Sequence, residues 1–243
     1  MRRWGLEWGA TALLLLVVGT CARGALYWRE RCRRLEAALN TFDLPRAKSA
    51  VHQGASVRVR GWAGLTVLMV ATHKGDLLFV RELLARGAEV NATNERGEEA
   101  LYYATFENRR HIIRTLAAAG ADVNRPNEEG VTPLMLAAMQ CEAATVQELL
   151  SVGAVTGLQE VRGRTALSYG VEYGTPEVVR LLLAHGAEPR VKDRQGNTAL
   201  NLARARLWRI ASWAEDAGRE ERAAERRNAT RIMEMLRQHA ATR

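Results

Sequence analysis

Glycine recurs at Gly64, Gly97, Gly130, Gly163 and Gly196, at a constant interval of 33 residues. A leucine follows each of them four positions later, at Leu68, Leu101, Leu134, Leu167 and Leu200. A second series, Gly54, Gly87, Gly120, Gly153 and Gly186, keeps the same interval, and an alanine follows each time. Such a period restricts the chain to a stack of like units, because one short unit cannot bury its apolar face alone and must be covered by its neighbours.

Between these marks each unit reads as two helices. Thr66, Thr132, Thr165 and Thr198 stand just before an apolar run, where a hydroxyl can accept from the free N–H groups of a starting helix. Pro133 suits the first helical turn, where its missing N–H costs nothing. Leu68 with Ala71, Leu101 with Ala104, and Leu134 with Ala137 put one large and one small residue on a shared face. A second helix is expected over residues such as 76–86. Val80, Leu83 and Leu84 form its apolar stripe, matched by Ile113 and Leu116, by Val146, Leu149 and Leu150, and by Val179, Leu182 and Leu183. Gly87, Gly120, Gly153 and Gly186 then supply left-handed caps, followed by polar loops such as Asn91 to Arg96.

The period, the Thr-Pro-Leu-Met-x-Ala-Ala of residues 132–138, the Val-x-x-Leu-Leu-x-x-Gly-Ala of 146–154 and the Gly-Ala-Asp-Val-Asn of 120–124 resemble the ankyrin repeat. The likeness covers residues 31–241, since Asp43, Ala50, Val51, Gly54, Ala55 and Val57 align with Asp76, Leu83, Leu84, Gly87, Ala88 and Val90. It implies an all-α repeat solenoid of six helix-turn-helix units behind an N-terminal hydrophobic helix. The units fall near 31–63, 64–96, 97–129, 130–162, 163–195 and 196–243.

Three departures stand out. The family's usual His after the leucine is replaced by Met69, Tyr102, Met135, Ser168 and Asn201, which puts its inter-repeat hydrogen bond in question. The third unit has Glu99 where the others have the capping Thr, and Ala117 where a core Leu is expected, which marks it as the softest link. In the sixth unit the counterpart of Val80 should be residue 212, but the stripe resumes at Ile232, Met235 and Leu236, so 20 residues are inserted. The inserted region, 208–227, with Trp213, Ala214 and Ala217 before an Arg- and Glu-rich stretch, reads as a longer first helix and a solvated polar cap.

Residues 1–30 form a membrane anchor or signal segment. Gly9 to Ala22 is an uncharged apolar run of 14 residues, shorter than the roughly 20 of a spanning helix and within the roughly 7 to 15 of a signal peptide. Trp4, Leu6 and Trp8 before it, and Ala25, Leu26, Tyr27 and Trp28 after it, extend it to an anchor over residues 4–28 with aromatics at both edges. Thr20 with Ala22, and Ala22 with Gly24, offer signal-cleavage pairs, and Val-Gly-Thr-Cys at 18–21 resembles an imperfect lipoprotein box. Five Arg between 23 and 34, against Arg2 and Arg3, favour a solenoid on the cytoplasmic face, whereas a signal-like start argues for the periplasmic or exported side.

The formal charge of +8 has the same origin: residues 1–34 hold seven Arg and two Glu, leaving +3 for the rest. Arg outnumbers Lys 32 to 3, the bias of a GC-rich, bacterial genome. Cys21, Cys32 and Cys141 lack the spacing of a disulfide framework or zinc site, and Cys141 is expected inside a helix. No phosphate-binding loop, dinucleotide fingerprint, zinc-protease or nucleophile-elbow motif is present, and His52, His73, His111, His185 and His239 belong to separate units. No catalytic, cofactor, metal or small-molecule site is expected. Asn91 and Asn228 begin glycosylation-like triplets, the first at the repeat's own loop asparagine.

A protein-binding module on the concave face of loop tips and first helices is therefore expected. Its candidate residues are Trp62, Glu95, Arg96, Tyr103, Phe106, Glu107, Glu128, Glu129, Met139, Gln140, Arg162, Arg164, Tyr169, Tyr173, Arg194 and Gln195. Aromatics and Arg dominate many interfaces, although Tyr103 and Tyr169 equally suit packing between first helices. Nucleic-acid binding would need a basic stripe, and the tips alternate in sign. An enzyme with an unrecognised site would need titratable groups converging in one pocket.

Overall fold

The computed structural model describes residues 30–212 and 219–241. The segment 4–28 and the residues Trp213, Ala214 and Ala217 lie outside the described residues. Among the described residues no helix is long and apolar enough to cross a membrane.

The chain runs through six helix pairs. The first is α1 (30–40) with α2 (Leu44–His52). Then come α3 (Val67–Lys74) with α4 (Leu77–Ala85), and α5 (Ala100–Phe106) with α6 (Arg110–Ala118). Next are α7 (Pro133–Met139) with α8 (Ala143–Ser151), and α9 (Ala166–Glu172) with α10 (Pro176–Ala184). The last is α11 (Ala199–Ala211) with α12 (Arg219–Ala241). The first helices α3, α5, α7, α9 and α11 pack on one another in chain order, and the second helices α4, α6, α8, α10 and α12 do the same.

Local chemistry sets the boundaries. The hydroxyls of Thr66, Thr132, Thr165 and Thr198 accept from the N–H groups of Met69, Met135, Ser168 and Asn201 at 3.2–3.5 Å. Gly87, Gly120, Gly153 and Gly186 adopt φ of +79° to +98° and turn the chain out of the second helices, a conformation disfavoured for residues with a Cβ. Leu68, Leu101, Leu134 and Leu167 are buried beside Ala71, Ala104, Ala137 and, in the fifth unit, Gly170. Val80, Ile113, Val146 and Val179 are buried on the second helices. Each large side chain taken out of water contributes about 1.5–3 kcal/mol, and these contacts bridge neighbouring units.

The third unit starts differently. Glu99 occupies the cap position of α5 but makes no capping hydrogen bond, and it is only 3% exposed. Burial, with a smaller contribution from Asp122, pushes its carboxyl up to about 7 against the opposing pull of Arg125. Arg125 Nε lies 2.9 Å from its Oε1, an ion pair without hydrogen-bond alignment. Ala117 is half-buried where Leu150 and Leu183 are buried.

Cys141 corrects a sequence expectation. It lies past the end of α7, at φ +64°, in the turn where the second unit has Gly75 at +78°. The apolar run around it resembles a helix, yet the turn to α8 requires a left-handed residue there. The thiol donates to the Tyr173 carbonyl at 2.9 Å.

The insertion lengthens α11 to 13 residues, against seven in α9, and delivers α12, whose Ala229, Ile232 and Leu236 take the second-helix core positions. It does more than extend a solvated cap. Arg206 is 4% exposed, and its guanidinium donates to Val171 O at 2.8 Å, Gly174 O at 2.9 Å and, through Nε, Glu225 at 2.9 Å.

Candidate functional site

The loops between units are narrow hairpin turns, closed by N–H to O bonds from Gly61 to Leu65, Asn94 to Glu98, Asn127 to Val131, Glu160 to Arg164 and Asp193 to Asn197. In four of them the side chain of the first residue accepts two backbone N–H groups of its own turn. Asn94 accepts from Arg96 and Glu98, Asn127 from Glu129 and Val131, Glu160 from Arg162 and Arg164, and Asp193 from Gln195 and Asn197. Burial alone would raise the Asp193 carboxyl, but these N–H donors and the Asn197 amide outweigh it and hold the group below the usual range. The first of the five turns has Gly61 at this place, and Asn40 of α1 reaches across to accept from Trp62 N.

Successive turns are joined edge to edge. Glu95 N donates to Ala63 O, Glu128 N to Arg96 O, Val161 N to Glu129 O and Arg194 N to Arg162 O, at 2.9–3.3 Å. The period-marking glycines make this approach possible. A Cβ on Gly130 would sit 3.0 Å from the Glu160 Cα and Val161 N, whereas one on Gly196, which has no following turn, would meet nothing. A backbone ladder thus fixes the tips in a row beside the first helices.

The candidate residues distribute over this row as follows. Trp62 is 78% exposed, and Glu95, Arg96, Glu128, Glu129, Arg162, Arg194 and Gln195 are exposed at the tips. Phe106 and Tyr173 are 49% and 45% exposed at the ends of first helices, and Met139 is half-buried between them in the sequence of units. Glu107 is half-buried, 3.2 Å from His73, and the Gln140 amide donates to Phe106 O. Tyr103 is half-buried, its hydroxyl donating to Glu98 at 3.1 Å and accepting from Asn94 at 3.0 Å. Burial and the Glu98 carboxylate push it up to about 12, so it serves as a neutral donor. Tyr169 is 8% exposed, and stacks on Tyr173 with ring centroids 6.5 Å apart. Arg164 lies over the Tyr169 ring and pairs with Glu172 at 2.7 Å; burial would lower it, but Glu172 and the two tyrosines reverse the sign.

Seven candidates meet in one groove of about 590 Å³: Glu128, Glu129, Met139, Arg162, Arg164, Tyr169 and Tyr173. Val131, Glu160 and Val161 complete its lining, and the sequence reasoning missed all three. A signal existed, since Asn94, Asn127, Glu160 and Asp193 each stand three residues before a period-marking glycine. The remaining candidates lie outside this groove. Among the described residues no group of His, Cys, Asp and Glu could hold a metal ion.

Stacked helix pairs and laddered turns define a helical repeat protein, with a groove among its tips and first helices. A family model described as ankyrin repeats (3 copies) matches residues 35–127 and 120–193, and the chain belongs to the ankyrin-repeat family. Such repeats generally mediate protein–protein interaction. No curated protein matches the chain.

Proposed function

We propose that the protein is a non-catalytic scaffold that binds a partner protein on the face formed by the loop tips and first helices, centred on the groove between the fourth and fifth units. The observation that carries this reading is the groove itself, which gathers exposed Tyr173 with half-buried Met139 beneath the exposed tips of Glu128, Glu129 and Arg162. An aromatic set in a polar rim is the usual makeup of an interface hot spot. Crosslinking from Tyr173 and Phe106 in native cells tests it, followed by alanine substitution at both once a partner is captured. Binding that survives these changes, yet falls on Arg81→Ala at the exposed surface of α4, would move the site to the second helices.

We also propose that residues 4–28 hold this scaffold at a membrane, cytoplasmic side inward, as the aromatics and Arg flanking the apolar run 9–22 suggest. A cleaved signal would instead give an exported soluble binder. Intact mass separates the two, because a mature chain starting near Arg23 or Ala25 would remove the anchor.

A further inference from the structure

Over the last three tips of the row the charges are ordered. At the turn of residues 127–130 the exposed charged side chains are Glu128 and Glu129, at the turn 160–163 Arg162, and at the turn 193–196 Arg194. Ion pairs engage Arg164, Glu172 and Arg209 with one another at the groove wall, and Glu160 is held by its own turn. Among the described residues Glu128, Glu129, Arg162 and Arg194 form no ion pair, in contrast to Arg164 with Glu172. Met139 and Tyr173 line the same groove as Glu128, Glu129 and Arg162 and supply apolar surface beside these tips.

From this order, and resting on the protein-binding reading above, we infer that the groove takes an extended protein segment of mixed charge: a basic side chain against Glu128 and Glu129, an apolar side chain on Met139 and Tyr173, and an acidic side chain toward Arg162, with a second acidic side chain reaching Arg194 on the next tip beyond the groove. Packed helices repeat at about 8–10 Å and an extended chain advances about 3.3 Å per residue. One unit therefore corresponds to about three partner residues. The basic and first acidic positions are separated by about three residues, and a second acidic position follows about three further on. A uniformly acidic ligand, nucleic acid included, meets Glu128 and Glu129 at one end of the groove, and a uniformly basic one meets Arg162 at the other and Arg194 on the tip beyond it. Like charges brought together in this way favour the mixed segment over either.

The test is selection of a displayed random peptide library on the full chain, in parallel with a Glu128→Arg/Glu129→Arg variant and an Arg162→Glu variant. Both variants change only exposed tip side chains, and equal thermal melting of the three proteins checks that they stay folded. The inference expects enriched peptides with opposite charges about three residues apart around an apolar residue. Their binding should fall at least about tenfold on either variant, with the double variant now preferring acidic peptides. Peptides of uniform charge, or peptides that bind all three proteins alike but lose binding on Tyr173→Ala, would overturn the charge order and leave the groove as the binding site. Enriched peptides indifferent to all four changes, or no enrichment on any protein, would remove both readings.

Discussion

The third and fourth units share a length and a helix pair, but they start their first helices by different means. Thr132 caps α7 through the Met135 N–H, and Pro133 follows it with its φ already helical. Glu99 at the same place gives no cap bond to α5, and its carboxyl is buried against a single Arg. The fourth unit also closes its second helix with the buried Leu150 where the third has Ala117. Their join is nonetheless firm: Arg114 of α6 makes a bidentate pair with the 8%-exposed Glu148 of α8, at 2.9 and 2.7 Å. Weakness in a stacked protein therefore sits inside a unit as readily as between units, and here it has a chemical address.

The largest effect lies in the fourth unit's core. Leu149→Ala, at a fully buried position, should cost about 2–5 kcal/mol in denaturant unfolding, while Glu95→Ala or Arg162→Ala at the tips should cost far less. Equal costs would break the register on which the comparison rests.

Glu99 comes next. Its folded-state pKa of about 7 lies above the ordinary glutamate value of 4.5, so the folded state holds the proton more tightly. Stability should then decline as pH rises from about 4.5 to 7 and level off above. Glu99→Gln should remove this decline, with a gain of about 1–3 kcal/mol at pH 8 that shrinks toward pH 4.5. Urea unfolding of both proteins across that range measures it, and a gain that does not vary with pH would mean the carboxyl is not the cause.

A third comparison concerns the ladder. Gly130→Ala and Gly196→Ala both place a Cβ at φ +81°, a strain of about 1–2 kcal/mol. Only the former also presses on the next turn, so it should lower the melting temperature more. The smallest expected effect is that of Thr132→Ala, about 1 kcal/mol for a lost cap. Glu99→Thr should install the same cap in the third unit, detectable as slower exchange of the first α5 amides.

Much of this arrangement was legible because its causes are local. Threonine caps, left-handed glycines and the leucine stripe act within a few residues, so their period appears directly in the sequence. Cys141 misled because an apolar neighbourhood says nothing of the φ that a turn demands. The groove was only partly visible: the tip row follows from the register, but Val131, Glu160 and Val161 enter it through contacts between units. Tyr103 and Tyr169 looked alike in sequence, yet one keeps a hydroxyl pair with Glu98 and Asn94, and the other is nearly covered. Arg114 and Glu148 stand 34 residues apart on successive second helices, and nothing in the repeat pattern marks them as a pair. Arg206 and Glu225 stand 19 residues apart, the latter inside the insertion, and no periodic argument reaches such a pair.

A linear stack coupled only between neighbours frays from both ends, since an end unit has one partner to lose. Arg206 alters that at one end. Its guanidinium binds two carbonyls of the fifth unit and a carboxylate of the inserted helix, so the sixth unit cannot peel away without stranding a buried charge. The first pair holds the second by more exposed ties, such as the Lys48–Asp76 ion pair and the bond from Arg86 to Val51 O. The stack thus has a latched end and a loose one. Opening is expected to travel inward from the amino-terminal pair, so that the fifth unit, which carries one wall of the groove, outlasts the first pair.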